Sequence, residues 1–143
     1  MQLTIHTDYS LRLLIYLSIH SGETAPTVQD AAARYRVSAN HLAKVAQTLV
    51  QLGYIHSHRG RGGGLELAQS ADKINIGLVV RQTENLQLLE CFGPSSSCPI
   101  DPACRLKKAL GKAQQAFLAV LDDYWLSDLI SNRHKLRKLL DVA

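Results

Sequence analysis

Apolar residues recur along the first third of the chain every three or four positions, then at every second position, then at helical spacing again. Leu11, Leu14, Ile15 and Ile19 share one helix face if Thr7 is the N-cap, and Asp8 then lies in the first turn, where a negative charge suits the helix dipole. Ser21-Gly22 ends that pattern, and Gly22 to Pro26 predicts a turn. Thr27 caps a second, short helix through Val28, Ala31, Ala32 and Tyr35. After a break at Val37-Ser38, Ser38 caps a third helix from Ala39 to Leu52, apolar at Leu42, Val45, Ala46, Leu49 and Val50. Gly53 follows where a left-handed C-cap is commonly needed. Two helices around so short a break form a helix-turn-helix pattern.

The period then changes to two. Tyr54 to His58 and Leu65 to Ala68 read as strands, joined by a turn from Arg59 to Gly64. A hairpin behind a helix-turn-helix is a wing. Asn75 caps a further helix over Ile76 to Glu84, and Leu86 to Pro102 reads as a loop. Asp101-Pro102 predicts a helix start with Pro102 at the first helical position. Leu106, Leu110, Ala113, Phe117, Val120, Leu121 and Tyr124 continue as one apolar stripe to Trp125, the expected dimer helix. Leu136, Leu139 and Leu140 mark a short final helix. The expected fold is mainly α with a small β-hairpin wing: a winged helix-turn-helix domain over residues 1–85, a cysteine-rich loop over 86–104, and a dimerisation helix with a C-terminal helix over 105–143.

An apolar content of 46% and a charged content of 20% place the chain among globular proteins. No apolar run approaches the roughly 18 residues of a membrane span. Residues 1–10, with His6 and Asp8, lack the basic-then-apolar order of a signal peptide, so a cytoplasmic chain without membrane contact is expected. The net charge of +4 matters less than where it falls. Between Asp30 and Glu66 no acidic residue occurs, whereas Arg34, Arg36, Lys44, Arg59 and Arg61 all do. The bland reading of such a stretch is a solvated basic face. Combined with the helix-turn-helix, it predicts a double-stranded DNA partner. Ser38, Asn40, His41 and Lys44 then lie where the second helix meets base edges; Asn40 suits adenine, and Lys44 suits guanine or phosphate. Arg59 and Arg61 at the wing tip suit a narrow minor groove, and the adjacent glycines leave room for the sugar–phosphate walls. A nucleotide-binding glycine loop would run into a helix, and this tract runs into a strand.

Cys91, Cys98 and Cys104 are all the cysteines, spaced x6 and x5. Zinc sites favour ligand pairs two to four residues apart, and none is present. An iron–sulfur cluster wrapped by a Pro-containing loop is one reading, with a carboxylate, imidazole or water completing the ligand set. Three free or redox-active thiols are the other. A thiol enzyme built on Cys104 near a helix start lacks a His/Asp partner pattern, so no enzyme is expected.

Thr7-Asp8-Tyr9, the break at Val37-Ser38, the wing Arg59-Gly60-Arg61-Gly62-Gly63-Gly64, and the three cysteines with Pro102-Ala103-Cys104-Arg105-Leu106 together resemble the NsrR-type nitric-oxide-sensing repressors, winged-helix iron–sulfur regulators of the family shared with IscR. The resemblance runs almost end to end. It implies a homodimeric repressor of nitric oxide detoxification genes on a palindrome-like operator, with nitric oxide as the signal. It further implies a [4Fe–4S] cluster, with [2Fe–2S] as the alternative, held by Cys91, Cys98, Cys104 and Asp8 of the partner subunit. The IscR branch carries a histidine three residues after the last cysteine; here Lys107 stands there, a poor iron ligand until it loses a proton. His6 and His41 are rival fourth ligands. A regulator of the same fold that senses redox state or cluster supply is the alternative function.

Overall fold

The computed structural model describes residues 1–20 and 24–142, so the helix end expected at Ser21-Gly22 and the first part of the turn expected from Gly22 to Pro26 lie outside the described residues. Helix α1 spans Ile5–Ile19 and starts earlier than its periodicity suggests. Thr4, not Thr7, is the N-cap, its hydroxyl accepting the Thr7 N–H at 3.3 Å. Thr7 is fully buried inside the helix. The apolar stripe from Leu11 onward does not extend into this first turn, which is occupied by Ile5 and His6.

Helix α2 (Val28–Tyr35) begins in a capping box in which Thr27 and Asp30 satisfy each other's backbone N–H groups. Arg36, at φ 56°, closes α2 in the left-handed region, and the chain turns directly into α3 (Ala39–Gln51), capped by Ser38. The apolar faces of α1 and α3 meet in the main core, where Leu13, Leu14, Leu42, Val45 and Leu49 are essentially inaccessible. Each such side chain stabilises the fold by about 1.5–3 kcal/mol relative to exposure.

Strands β1 (Ile55–Ser57) and β2 (Leu65–Leu67) pair antiparallel with Ile55 opposite Leu67 and Ser57 opposite Leu65. Ile55 and Leu65 enter the core, and His56 and Glu66 face solvent. A single 3-10 turn leads to α4 (Ile76–Thr83), capped by Asn75 as its sequence predicts. After the cysteine loop, α5 runs over Arg105–Asp122, followed by the short α6 (Leu126–Leu129) and by α7 (Arg133–Leu140).

The expected start of α5 is displaced. Asp101, Pro102 and Ala103 form a separate 3-10 turn, and Cys104 becomes the N-cap. A proline at the first helical position favours a helical turn without specifying that it continue as α-helix. Within α5 only Leu118 is buried; Leu106, Val120 and the following Tyr124 stand open. The chain then returns to the core through Leu126 and Ile130. Arg133 and Arg137 of α7 donate to the last carbonyls of α1, Ser18 O at 2.9 Å and Ile19 O at 2.5 Å. No helix among the described residues is long and apolar enough to cross a membrane.

Candidate nucleic-acid interface and thiol loop

The recognition candidates divide by what already holds them. The Ser38 hydroxyl is engaged in its own helix cap, accepting the His41 N–H at 3.3 Å. Asn40 and Lys44 project from the exposed face of α3. His41 is half-buried, its ring packed edgewise on Tyr9 of α1 with centroids 5.4 Å apart. Arg59 and Arg61 are exposed at the wing tip. Gly60 and Gly62 take φ of 92° and 78° in that turn, a region that disfavours any side chain. Gly64 has an inward task instead: a Cβ there would collide with the Ala25 carbonyl. Its neighbour Leu65 donates to Pro26 O at 2.8 Å, tying the wing to the segment before α2. His58 Nε2 and Glu66 Oε1 meet at 2.7 Å across the hairpin. That hydrogen bond, then the positive charge of His58, hold the Glu66 carboxyl below its usual pKa.

Asp8 is half-buried in the first turn of α1 and gripped by both sides of one guanidinium, Arg12 Nε to Oδ1 and Nη2 to Oδ2, each at 2.8 Å. The same guanidinium lies 5.9 Å from the Tyr9 ring and 5.8 Å from the Tyr35 ring. Burial raises the Tyr35 hydroxyl to a pKa of about 12. Asp8, Arg12, Tyr9 and His41 therefore form a continuous chain of contacts ending on α3.

The three thiols are free, with Cys98 exposed and Cys91 and Cys104 half-exposed. Cys91 lies in a 3-10 turn over Glu90–Phe92. The Cys104 sulfur accepts the Lys107 N–H at 3.3 Å as cap of α5. Lys107 Nζ binds Asp101 Oδ1 at 2.7 Å. That bond is the main cause of a raised Lys107 pKa. Among the described residues, however, no three histidines, cysteines or carboxylates converge as a metal site, and neither His6 nor His41 joins such a group. The loop is stitched by Glu90, whose carboxylate accepts the Ser97 N–H at 3.2 Å and the Ser97 hydroxyl at 2.6 Å.

One site residue has no sequence signal. Glu84, at the end of α4, accepts the Thr4 N–H at 2.7 Å and the Thr4 hydroxyl at 3.1 Å. It holds the start of the helix that carries Asp8, across a separation of 80 positions that no local spacing reveals.

A two-helix reading unit, a basic wing and a free thiol loop define a winged helix-turn-helix transcriptional regulator. The chain matches the Rrf2 family, described as iron-dependent transcriptional regulators, over residues 3–132, and it belongs to that family. It is 48% identical to the HTH-type transcriptional regulator NsrR of Halalkalibacterium halodurans over 99% of both chains. The NsrR of Bacillus subtilis is 46% identical over the same shares. Among solved structures it is similar to CymR, the global cysteine regulator of B. subtilis, with TM-score 0.72 and 25% identity over 92% of this chain and 98% of that one. It shares the fold of T. potens IscR, with TM-score 0.72 and 23% identity over 92% and 88% of the two chains. The protein is a DNA-binding transcriptional regulator and not an enzyme, the family and the NsrR relatives being described as transcriptional regulators.

Proposed function

We propose that the chain is a homodimeric repressor whose operator affinity is set by an iron–sulfur cluster that reacts with nitric oxide. The observation that carries this reading is the position of Asp8: a carboxylate held by one guanidinium, on a helix that touches the recognition helix through Tyr9 and His41. The near end-to-end similarity to regulators named NsrR supports it.

The donor set fits the group. Three free thiols on one loop supply Cys91, Cys98 and Cys104, and Asp8 of the partner subunit supplies a fourth donor, one per iron of a [4Fe–4S] cluster. When bound, the cluster supplies iron with which nitric oxide reacts. Asp8 would be the one oxygen donor beside three thiolates, the least suited of the four to a soft iron site, and Arg12 holds its carboxylate in the arrangement described above. The operator is read by Asn40, His41 and Lys44 on α3 and by Arg59 and Arg61 on the wing, with Ser38 fixing the helix start. The open face of α5, with Leu106 62% and Val120 58% exposed, covers its own copy in a second subunit. In this reading residues 1–85 read DNA, 86–104 hold the cluster, and 105–143 form the arm and its return to the core.

Anaerobically purified protein is expected to show charge-transfer absorption that bleaches on stoichiometric nitric oxide, with operator release at the same titration point. Operator affinity unchanged after replacing all three cysteines by serine would overturn the reading. Release by a mild oxidant but not by nitric oxide would instead favour the redox-sensing alternative.

A further inference from the structure

The arm and the reading unit meet at one tight joint. Main-chain bonds sew the segment before α4 to the end of α5: Ile76 N–H to Tyr124 O at 2.9 Å and Leu126 N–H to Ile74 O at 2.8 Å. The Asn75 amide donates to Asp122 O at 2.7 Å while its oxygen caps α4. Arg81 of α4 then takes Asp122 with both terminal nitrogens, Nη2 to Oδ2 at 2.8 Å and Nη1 to Oδ1. A planar fork on a carboxylate fixes orientation as well as distance.

Gly77 shows how close the crossing is. A Cβ at this position would run into the Asp122 carboxylate, and would stand 2.9 Å from the Asp122 backbone nitrogen. The carboxylate could swing away, but the backbone nitrogen moves only if α5 moves. Any side chain at Gly77 is therefore a wedge between the two helices.

The consequence is mechanical. An 18-residue helix is about 27 Å long, so a rotation of roughly 7° at one end displaces the other by ~3 Å. That is about one base-pair step of DNA. We propose that the joint of Gly77, Arg81 and Asp122 determines the separation of operator half-sites that the regulator accepts. This inference rests on the dimeric operator-binding reading given above. It assigns spacing to three residues that touch no base, and leaves base identity to α3 and the wing.

The test is selection from a random-sequence DNA library with the full chain, comparing wild type with Gly77→Ala, Arg81→Gln and the exchange Arg81→Asp with Asp122→Arg. All should select the same half-site sequence. Gly77→Ala should move the preferred spacing by at least one base pair. Arg81→Gln should accept several spacings, and the exchange should restore a single one. A merely structural role would lower stability and affinity at every spacing alike. Paired half-sites at the wild-type spacing in both Gly77→Ala and Arg81→Gln overturn the proposal while leaving the dimeric reading intact. Selection of single, unpaired half-sites by the wild type overturns both. Should Gly77→Ala not fold, Arg81→Gln decides alone, since that guanidinium lies at the surface.

Discussion

The reading face and the thiol loop are built on opposite terms. On the reading face Ser38 caps α3, Tyr9 supports His41 and Glu66 steadies His58, bracing the surface from which Asn40, Lys44, Arg59 and Arg61 project. The loop is also held, through Glu90 with Ser97 and Asp101 with Lys107, yet its three sulfurs do not converge. One region is braced within a single subunit, and the other presents three free thiols on one loop. The contrast teaches that the reading face is positioned by contacts within the chain, whereas the three thiols are left free of such contacts apart from the Cys104 cap.

The largest effect should come from breaking the loop alone. Replacing Cys91, Cys98 and Cys104 by serine should abolish the response to nitric oxide and lower operator affinity by about 5- to 150-fold, the usual range of allosteric coupling. In the metal-free protein stability should move by less than about 0.5 kcal/mol, since none of the three is buried and serine caps α5 at least as well as a thiol. Thermal melts alongside operator titrations check both halves. Breaking the reading face should do the reverse. Asn40→Ala should cost about 1–3 kcal/mol on the cognate operator and leave the nitric oxide titration point unchanged. Arg59→Ala with Arg61→Ala should flatten the salt dependence by about one unit for each phosphate no longer neutralised, measured as the slope of log affinity against log salt.

The same contrast explains what can be seen in the sequence. The helix-turn-helix and wing are legible because they rest on local rules: caps at Thr27 and Ser38, a period that shifts from helix to strand, and arginines at the tip. The start of α5 is not, because Asp101-Pro102 satisfies a 3-10 turn as well as an α-helix. The joints are invisible. Glu84 on Thr4 and Arg81 on Asp122 link positions 80 and 41 residues apart, and a surface Glu or Arg gives no sign of its partner. For the thiols, spacing limits the ligand chemistry, but no periodicity reports whether three sulfurs meet.

A smaller effect should test the series of side chains that links Asp8 to α3. Tyr9→Leu keeps an apolar side chain against α3 but removes the aromatic edge on His41 and the ring beside Arg12. An aromatic pair of this kind is worth about 0.5–1.5 kcal/mol. Operator affinity should therefore fall modestly in the metal-free protein, and Arg12→Gln should add little further when Tyr9 is already absent. A double-mutant cycle on operator binding measures this. Strict additivity of the two substitutions would break the link from Asp8 to α3.

The smallest effect concerns Glu84, which anchors the start of the Asp8 helix. Burial alone would raise its pKa, but the Thr4 backbone N–H, the Thr7 and Thr4 hydroxyls and the Asn85 N–H outweigh it, and the carboxyl is held below its ordinary 4.5. A group whose pKa is depressed on folding stabilises the native state above its unfolded value and loses that contribution as pH falls through the folded one. Glu84→Gln should therefore cost on the order of 1 kcal/mol at pH 7, the scale of a lost helix cap. The gap should close as pH falls through the depressed folded-state pKa, where the wild-type carboxyl becomes neutral as well. Denaturant melts of both proteins across this range test the assignment. A gap of equal size at every pH would mean that Glu84 holds α1 by shape rather than by charge.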